Sequence, residues 1–272
     1  MDIETVLLAR LPAASVDYRH ALAVLDPEYR EWRPEGNGKH RLDQVAGVPL
    51  LTVELDGICY VLGDVLDAAA PSVARFVSDR GLNEVHVFGE TSFHHLMTHL
   101  TNGQWRLSRN YEATVDGFLP RPCRHVRALR PEDRGLVEAA CKIFPAIGSS
   151  PSTMRDFGYM AGGLPVTCHG AIVDGQLVGF CSANPVFRGV TEISWLVVAE
   201  GYRRSGIASG LLTVQAGEVV ARGDRAAYYA GSAEADLDLM LTGLGFREVN
   251  GDFRFIPASA RDQWRTTWGL PL

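Results

Sequence analysis

The order of apolar and polar positions predicts short strands alternating with amphipathic helices. In the second half of the chain, β-rich apolar residues fill Thr191 to Val198, and apolar residues recur at helical spacing from Gly206 to Arg222. A third apolar run covers Ala226 to Gly231. Asp174-Gly175 separates two more such runs and is typical of a tight β-hairpin. These patterns predict an α/β fold with a mixed sheet.

The predicted order of this half is β-α-α-β-β-β-α-β-α-β. The predicted strands are 123–129, 166–173, 176–184, 191–198, 226–231 and about 247–256, and the predicted helices are 131–143, 152–160, 206–222 and 235–244.

The first half shows a similar alternation. Two prolines within Gly117 to Pro122 interrupt the pattern, so domains are predicted at 1–120 and 121–272. Gly81 is a predicted helix end, and Asp56-Gly57 a predicted hairpin turn. The predicted elements are helices at 17–25, 70–81 and 92–100 and strands at 50–55, 59–62, 84–88 and 105–115, with a loop at 34–38.

A candidate anion site lies between the Thr191 strand and the helix that follows it. The chain there reads Arg203-Arg204-Ser205-Gly206-Ile207-Ala208, an R-x-x-G-x-A pattern. Backbone N–H groups of such a turn point at a phosphate, and the helix adds the positive end of its dipole. Glycine lets the backbone approach the anion closely. No G-K-[ST] and no G-x-G-x-x-G is present, so a pyrophosphate held by this turn is the favoured interpretation.

The residues around this turn resemble a known family. Glu192 to Leu212, E-I-S-W-L-V-V-A-E-G-Y-R-R-S-G-I-A-S-G-L-L, resembles the acyl-CoA-binding core of the GNAT superfamily of N-acetyltransferases. Ala226 to Gly231 and Leu244 to Val249 are similar to the family's fifth strand and the turn into its last hairpin. The resemblance spans about 123–257 and is closest to the two-domain glycine-N-acyltransferase-like subgroup. It implies a GNAT fold here, and a degenerate GNAT-like copy in the first half, which lacks the R-x-x-G-x-A loop.

The resemblance also implies a site for acetyl-CoA as co-substrate. Its pantetheine arm would pass between two splayed strands, where the Leu196 N–H would polarise the thioester carbonyl and the Val198 N–H would hold pantetheine. The N–H groups of 204–209 would hold the pyrophosphate. The implied cofactor-binding residues are Leu196, Val197, Val198, Arg203, Arg204, Ser205, Gly206, Ile207, Ala208 and Ser209.

Transfer to an amine needs a proton acceptor, because an alkylammonium is almost fully protonated at neutral pH. Glu192 falls where several GNAT enzymes carry a glutamate base, so the resemblance implies that it is catalytic. Asp156, Glu234 and Asp236 are weaker candidates from flanking loops.

The family's frequent tyrosine acid is replaced here by Leu241. Tyr228, Tyr229 or Ser232 are alternative proton donors. Unassisted departure of the thiolate is a further alternative, because a thiol has a low pKa compared with an alcohol.

Histidines and cysteines give no further chemistry. His94, His95 and His99 form an H-H-x-x-x-H cluster without an evident third ligand, so a solvated helix end is favoured over a metal site. Five cysteines without C-x-x-C are typical of reduced, buried thiols, and Cys168 and Cys181 are predicted to pack in the core.

Composition and charge indicate which classes of partner and which cellular compartment to expect. A net charge of −6 argues against a nucleic-acid-coating protein and favours an amine-bearing partner. The start of the chain lacks signal-peptide features and no apolar run reaches membrane length, so a cytoplasmic protein without membrane contact is expected.

The prediction is an acetyl-CoA-dependent N-acetyltransferase acting on a small primary amine. A non-catalytic acyl-CoA-binding module and a protein or peptide N-acetyltransferase remain as alternatives.

Overall fold

The computed structural model describes residues 40–53, 57–121, 124–148, 151–187, 189–231 and 235–260. These residues divide into two compact units, the first comprising those within 1–110 and 249–260 together with residue 231, and the second those within 111–230 and 235–248. The strands are β1 His40–Val45, β2 Val48–Val53, β3 Ile58–Val61, β4 Glu84–Phe88, β5 Gly103–Ala113, β6 Val126–Ala128, β7 Thr167–Val173, β8 Gln176–Phe187, β9 Val190–Val198, β10 Arg225–Gly231 and β11 Arg247–Pro257. The helices are α1 Ala70–Asp79, α2 Glu90–Met97, α3 Arg134–Ile143, α4 Pro145–Gly148, α5 Pro151–Ala161, α6 Ile207–Ala221 and α7 Ala235–Gly243, with short 3-10 turns at Pro131–Asp133, Glu200–Tyr202 and Ala258–Ala260.

The first unit contains a mixed sheet in the order β1-β2-β3-β4-β11. Its only parallel pair among the described strands is β3 with β4, and the other neighbours are antiparallel. α1 and α2 supply apolar side chains to the core of this unit, together with alternate residues of the strands. Core side chains include Leu50, Val61, Val73, Val85 and Leu96.

The second unit contains a mixed sheet in the order β10-β9-β8-β7-β6. β9 and β10 are parallel and the remaining pairs are antiparallel. α5 and α6 lie on opposite faces of this sheet. On β8, Ser182 donates a hydrogen bond to Asp156 of α5. The preceding residue, Cys181, points to the other face and is level with His169, which is hydrogen-bonded to Gln215 of α6.

Close packing of α6 on the sheet depends on a glycine. A Cβ added to Gly179 of β8 would lie 3.0 Å from side-chain carbons of both Ile207 and Leu211, in the first turns of α6. The absence of a side chain therefore lets the start of this helix approach the strand that neighbours β9.

Most of the predicted elements are confirmed. The strand predicted at 84–88 matches β4, and the helices predicted at 131–143 and 206–222 match α3 with its preceding 3-10 turn and α6. The strand predicted at 123–129 is shorter, at Val126–Ala128, and both β1 and α4 were not predicted. The helix at 17–25, the loop at 34–38, Asp56 and Cys123 lie outside the described residues, although β2 and β3 on either side of Asp56 do pair.

Candidate functional site

Two parallel strands of the second unit separate part way along their length. The ladder between β9 and β10 joins Val190–Ile193 to Arg225–Tyr228 and ends there, while both strands continue. On its other side β9 stays paired with β8 as far as Val198. The last residues of β9 therefore have a partner strand on one edge only, among the described residues.

The open edge of β9 carries the N–H groups of Leu196 and Val198. The Ala199 N–H donates to the Val178 carbonyl of β8 at 2.8 Å. Successive residues of a strand direct their N–H groups to opposite edges, so the Val198 N–H faces away from β8, and Leu196 faces the same way. This direction is the one that the predicted roles of the two residues require.

A β-bulge coincides with the end of the β9–β10 ladder. Ser182 of β8 is level with Trp195, and the next residue, Ala183, is level with Ile193, so Ser194 is the extra residue. A bulge bends its strand and increases the local twist. It gives a physical cause for the separation of β9 from β10 at this point.

The connection from β9 to α6 has the backbone of an anion-binding turn. Arg204 and Gly206 both have left-handed backbone conformations, with φ of 62° and 84°. The first backbone hydrogen bond into α6 runs from the Gly210 N–H to the Gly206 carbonyl at 2.9 Å, and no side chain caps the helix. The N–H groups of its first turn are therefore available to a ligand, and left-handed turns make them converge on an anion.

Two buried polar atoms at this site lack a partner within the described part of the chain. They are Oγ of Ser209, in the first turn of α6, and Nε1 of Trp195, beside the bulge. Unpaired buried donors are costly, and these two suit a ligand with phosphate and amide oxygens. Together with the open edge of β9, they make the site a good fit for acyl-CoA.

The two arginine side chains of the turn have different contacts. Arg203 Nε donates to the Val198 carbonyl at 3.3 Å. Arg204 forms an ion pair with Asp236 of α7, and both side chains are mostly exposed. Asp236, one of the weaker candidate bases, is thus already paired with Arg204 of the turn.

The other candidate bases occupy very different surroundings. Glu192 is half-buried on β9, level with Asn184 of β8 and Ala227 of β10. Asp156 is 1% exposed and accepts hydrogen bonds from Ser182 and Arg155. Glu234 lies outside the described residues.

No hydroxyl is present at the position of the missing tyrosine. Leu241 is fully buried in the core of the second unit. Tyr228 and Tyr229 are half-buried on β10, at and beyond the end of its ladder with β9. Ser232 lies outside the described residues.

The cysteine prediction agrees with the structure. Cys168 and Cys181 are buried in the core, and burial raises the pKa of both thiols well above the ordinary value. Cys59 of the first unit is also buried, which raises its pKa to about 12. These thiols stay protonated at neutral pH, so they are core side chains and not nucleophiles.

The histidine cluster makes local contacts. His94 Nε2 lies 3.5 Å from Glu90 Oε1, and His95 Nδ1 lies 2.5 Å from Asp67 Oδ1. Within the described ranges, no group of three or more His, Cys, Asp or Glu side chains is arranged to hold a metal ion. Over those same ranges, no helix combines the length and apolar character needed to cross a bilayer.

A family comparison supports the resemblance over the site. Residues 135–236 match the model of the acetyltransferase (GNAT) family, which covers the bulge, the turn and α6. This stretch is a GNAT acetyltransferase domain, and the family transfers acyl groups from acyl-CoA. No curated protein matches the sequence.

Solved structures extend the likeness in fold to most of the chain. A GNAT-family acetyltransferase from Colwellia psychrerythraea has a TM-score of 0.59 at 14% identity, covering 93% of this chain and 95% of its own. A GCN5-related N-acetyltransferase from Sphaerobacter thermophilus has a TM-score of 0.57 at 17% identity, covering 92% and 90%. A tandem GNAT protein from the clavulanic acid biosynthesis pathway has a TM-score of 0.53 at 11% identity, covering 94% and 96%. A two-domain arrangement with the GNAT fold is therefore confirmed.

The sequence did not identify three of the polar residues near the site. Ser182, Asn184 and Ser194 are joined by hydrogen bonds beside the bulge, and Ser182 connects them to Asp156. The available signal was the polar Ser194 between Ile193 and Trp195, which interrupts an apolar strand at the residue that forms the bulge.

Proposed function

We propose that this protein is an N-acyltransferase that moves the acetyl group of acetyl-CoA to a primary amine of a small molecule. The observation that carries the proposal is the open edge of β9 next to the left-handed turn at Arg204 and Gly206. Backbone donors meet there in the arrangement that a thioester, an amide-rich arm and a pyrophosphate require. The residues proposed to bind acetyl-CoA are Leu196, Val197, Val198 and 203–209.

In this proposal Glu192 is the base that deprotonates the acceptor amine. Its half-buried carboxylate lies two residues before the bulge, on the strand whose Leu196 N–H would polarise the carbonyl. A carboxylate attracts a cationic amine and removes a proton from it, directly or through a water molecule. Attack by the neutral amine on a thioester held in the cleft then needs no covalent enzyme intermediate.

The domain assignment belongs to the same proposal. Residues 121–272 would bind acyl-CoA and catalyse transfer, and 1–120 would be a degenerate GNAT-like domain. The likeness in fold to a tandem GNAT protein supports this division. We also propose a cytoplasmic protein without nucleic-acid or membrane partners, in keeping with its net charge of −6.

The first experiment is calorimetric titration of acetyl-CoA into the wild type and into an Arg203→Glu/Gly206→Glu variant. Two carboxylates in the anion turn repel the pyrophosphate, and the loss of charge-assisted hydrogen bonds adds to this. We expect about a 100-fold or larger loss of affinity. A folded wild type that does not bind acetyl-CoA would rule out the proposal.

Catalysis is tested next by thiol release from acetyl-CoA with a panel of small primary amines. We expect Glu192→Gln to lower kcat/KM by about 100-fold, with acetyl-CoA affinity unchanged. Glu138→Gln is the matched control, because Glu138 is a half-buried residue of α3 paired with Arg134. Equal activity in Glu192→Gln and wild type would show that Glu192 is not the base.

The buried Leu241 favours a second candidate, a non-catalytic acyl-CoA-binding module. Such a module has no need of a proton donor for the thiolate. Binding of acetyl-CoA by the wild type without thiol release, across the amine panel, would decide for it.

A further inference from the structure

Four polar side chains form a hydrogen-bonded row from the bulge into the interior of the second unit. Asn184 Nδ2 donates to Ser194 Oγ, the Oγ atoms of Ser194 and Ser182 are 3.3 Å apart, and Ser182 Oγ donates to Asp156 Oδ2 at 2.7 Å. Ser194 is half-buried, whereas Asp156, Ser182 and Asn184 are 1%, 0% and 3% exposed. The row therefore leads from the point where β9 and β10 separate to a buried carboxylate.

The direction of these hydrogen bonds follows from counting protons. A serine hydroxyl has one proton and two lone pairs. Ser182 gives its proton to Asp156, so the bond between the serines must be donated by Ser194. Ser194 accepts from Asn184 with one lone pair and has a second for another donor. All the hydroxyl protons in the row thus point toward Asp156.

A buried carboxylate is an expensive way to hold a helix against a sheet. Removing its charge from water is strongly unfavourable, and apolar side chains of similar volume often stabilise as well or better. The second oxygen of Asp156 accepts from Arg155 Nε at 3.1 Å, and the Arg155 side chain is 43% exposed. Asp156 is thus connected to solvent through Arg155 and to the bulge through two hydroxyls.

Acetylation of an alkylammonium removes two protons from its nitrogen. In the proposed function, on which this inference rests, Glu192 takes the first proton before attack. The second must leave as the new N–C bond forms, and Leu241 provides no group that moves protons. Glu192 and Asn184 are level with each other on adjacent strands, so their side chains share the face of the sheet that carries the row.

We propose that Ser194, Ser182 and Asp156 form a hydroxyl relay that removes this second proton. As the N–C bond forms and the C–S bond breaks, the N–H proton passes to Ser194 Oγ, and its electron pair stays on nitrogen. Ser194 passes its own proton to Ser182, and Ser182 passes its proton to Asp156 Oδ2. CoA leaves as the thiolate with the C–S electron pair, and Asp156 returns its proton to solvent beside Arg155. Ser194 is the group that contacts the acceptor, and Ser182 and Asp156 act through it.

The relay is tested with Asp156→Asn, Ser182→Ala and Ser194→Ala. The full-length protein is used, with thiol release from acetyl-CoA measured with and without a mixture of small primary amines. We expect kcat to fall about 100-fold in each variant, with acetyl-CoA affinity, measured by calorimetry, within about twofold of wild type. Ser194→Thr keeps the hydroxyl and is expected to restore kcat to within about threefold.

Two further readouts separate a relay from a structural role. Without the relay, hydroxide must take the second proton, so log kcat of Ser194→Ala should rise in proportion to pH between about pH 6 and about pH 9. Ser92→Ala is the matched control, because Ser92 is a buried serine of the first unit that accepts a hydrogen bond from the Val65 N–H. It should keep the wild-type kcat and pH profile.

Three outcomes would overturn the relay. Wild-type kcat and pH profile in Asp156→Asn and Ser194→Ala would exclude it and leave the proposed function standing. An equal loss of kcat in Ser194→Thr and Ser194→Ala would show that the hydroxyl does not matter. Acetyl-CoA binding without thiol release from the wild type would remove the acyltransferase proposal and the relay with it.

Discussion

The two units each contain a strand followed by a glycine that precedes a helix, directly after β4 and after a seven-residue connection in the case of β9, and only one of these connections is suited to an anion. Gly89 precedes α2 and Gly206 precedes α6, both with positive φ, at 91° and 84°, and neither helix has a side-chain cap. Glu90 follows in the first turn of α2, whereas two arginines precede Gly206 and the first turn of α6 has no acidic residue. A carboxylate in the first turn already complements the helix dipole and repels a phosphate.

The strands that lead into these helices also differ. β4 is paired with β3 and with β11, through Val85 and Val87 on both sides. β9 loses its partner on one edge after Ile193, where Ser194 forms the bulge. A glycine before a helix is therefore not sufficient for an anion site, which needs an unpaired strand edge and the right charge as well.

Among the glycine substitutions, the largest expected effect on acetyl-CoA affinity comes from filling the space under α6. Gly179→Val should destabilise the fold by about 2 kcal/mol and weaken acetyl-CoA binding at least tenfold, because Ile207 and Leu211 must move with the start of α6. Gly103→Val is the counterpart in the first unit, where an added Cβ would lie 2.5 Å from the Ile256 carbonyl oxygen.

Gly103→Val should lower stability by about 3 kcal/mol and leave acetyl-CoA affinity unchanged in the folded fraction. Both quantities are measured by denaturant unfolding and calorimetry. A loss of affinity in Gly103→Val alone would assign binding to the first unit.

A smaller effect is expected at the two helix-capping glycines. Neither Gly89 nor Gly206 has an atom within 4 Å of an added Cβ, so alanine introduces only the backbone cost of positive φ. We expect each substitution to destabilise by about 1 to 2 kcal/mol. Only Gly206→Ala should also weaken acetyl-CoA binding, by about tenfold. Equal affinities in the two variants, from parallel titrations, would contradict a ligand role for the turn at Gly206.

The smallest effect concerns acid stability. Hydrogen bonds from Arg127 and from the Arg130 N–H lower the pKa of Asp133, at the start of the second unit's first helix, to about 2. This stabilisation is present above the unfolded-state pKa of about 3.9 and is lost as the pH falls toward about 2. Asp133→Asn should therefore cost about 1 kcal/mol at neutral pH and only a small fraction of that at about pH 2.

The first unit offers a contrasting pair for this measurement. Asp67 contacts His95 but its side chain is 89% exposed, so Asp67→Asn should change the unfolding free energy by less than about 0.5 kcal/mol at any pH. Urea titrations of both variants across the acid range provide the comparison. An Asp133→Asn variant whose deficit persists at about pH 2 would show that the deficit arises from packing.

Local patterns allowed most of the fold to be predicted. Asp174 and Gly175 both have positive φ, at 50° and 76°, and form the two-residue turn between β7 and β8. These two residue types are sufficient to predict the turn. The same conformation at Ala46-Gly47 joins β1 to β2, but alanine is a weak signal for it, so β1 was not predicted. GNAT membership of the second half was also predicted and is confirmed for 135–236.

The polar row could not be predicted, because it depends on long-range register. Ser182 is hydrogen-bonded to Asp156, which is 26 residues away in sequence. Ser182 is also hydrogen-bonded to Ser194, which is 12 residues away on the next strand. A slip of one residue would turn these side chains to the other face. The candidate base Glu192 and the residues proposed to bind acetyl-CoA remain predictions, now with a geometry that the experiments above can test.

The parting of β9 from β10 has a consequence for the protein before it meets its ligand. On the side away from β8, the N–H groups of Leu196 and Val198 have no partner strand among the described residues, which is the same hazard that a free edge strand poses for self-association. A bound pantetheine arm would occupy the position of a missing strand and remove that hazard. We therefore expect the ligand-free protein to aggregate first through this gap on warming, and acetyl-CoA to act on its solubility as well as on its melting temperature.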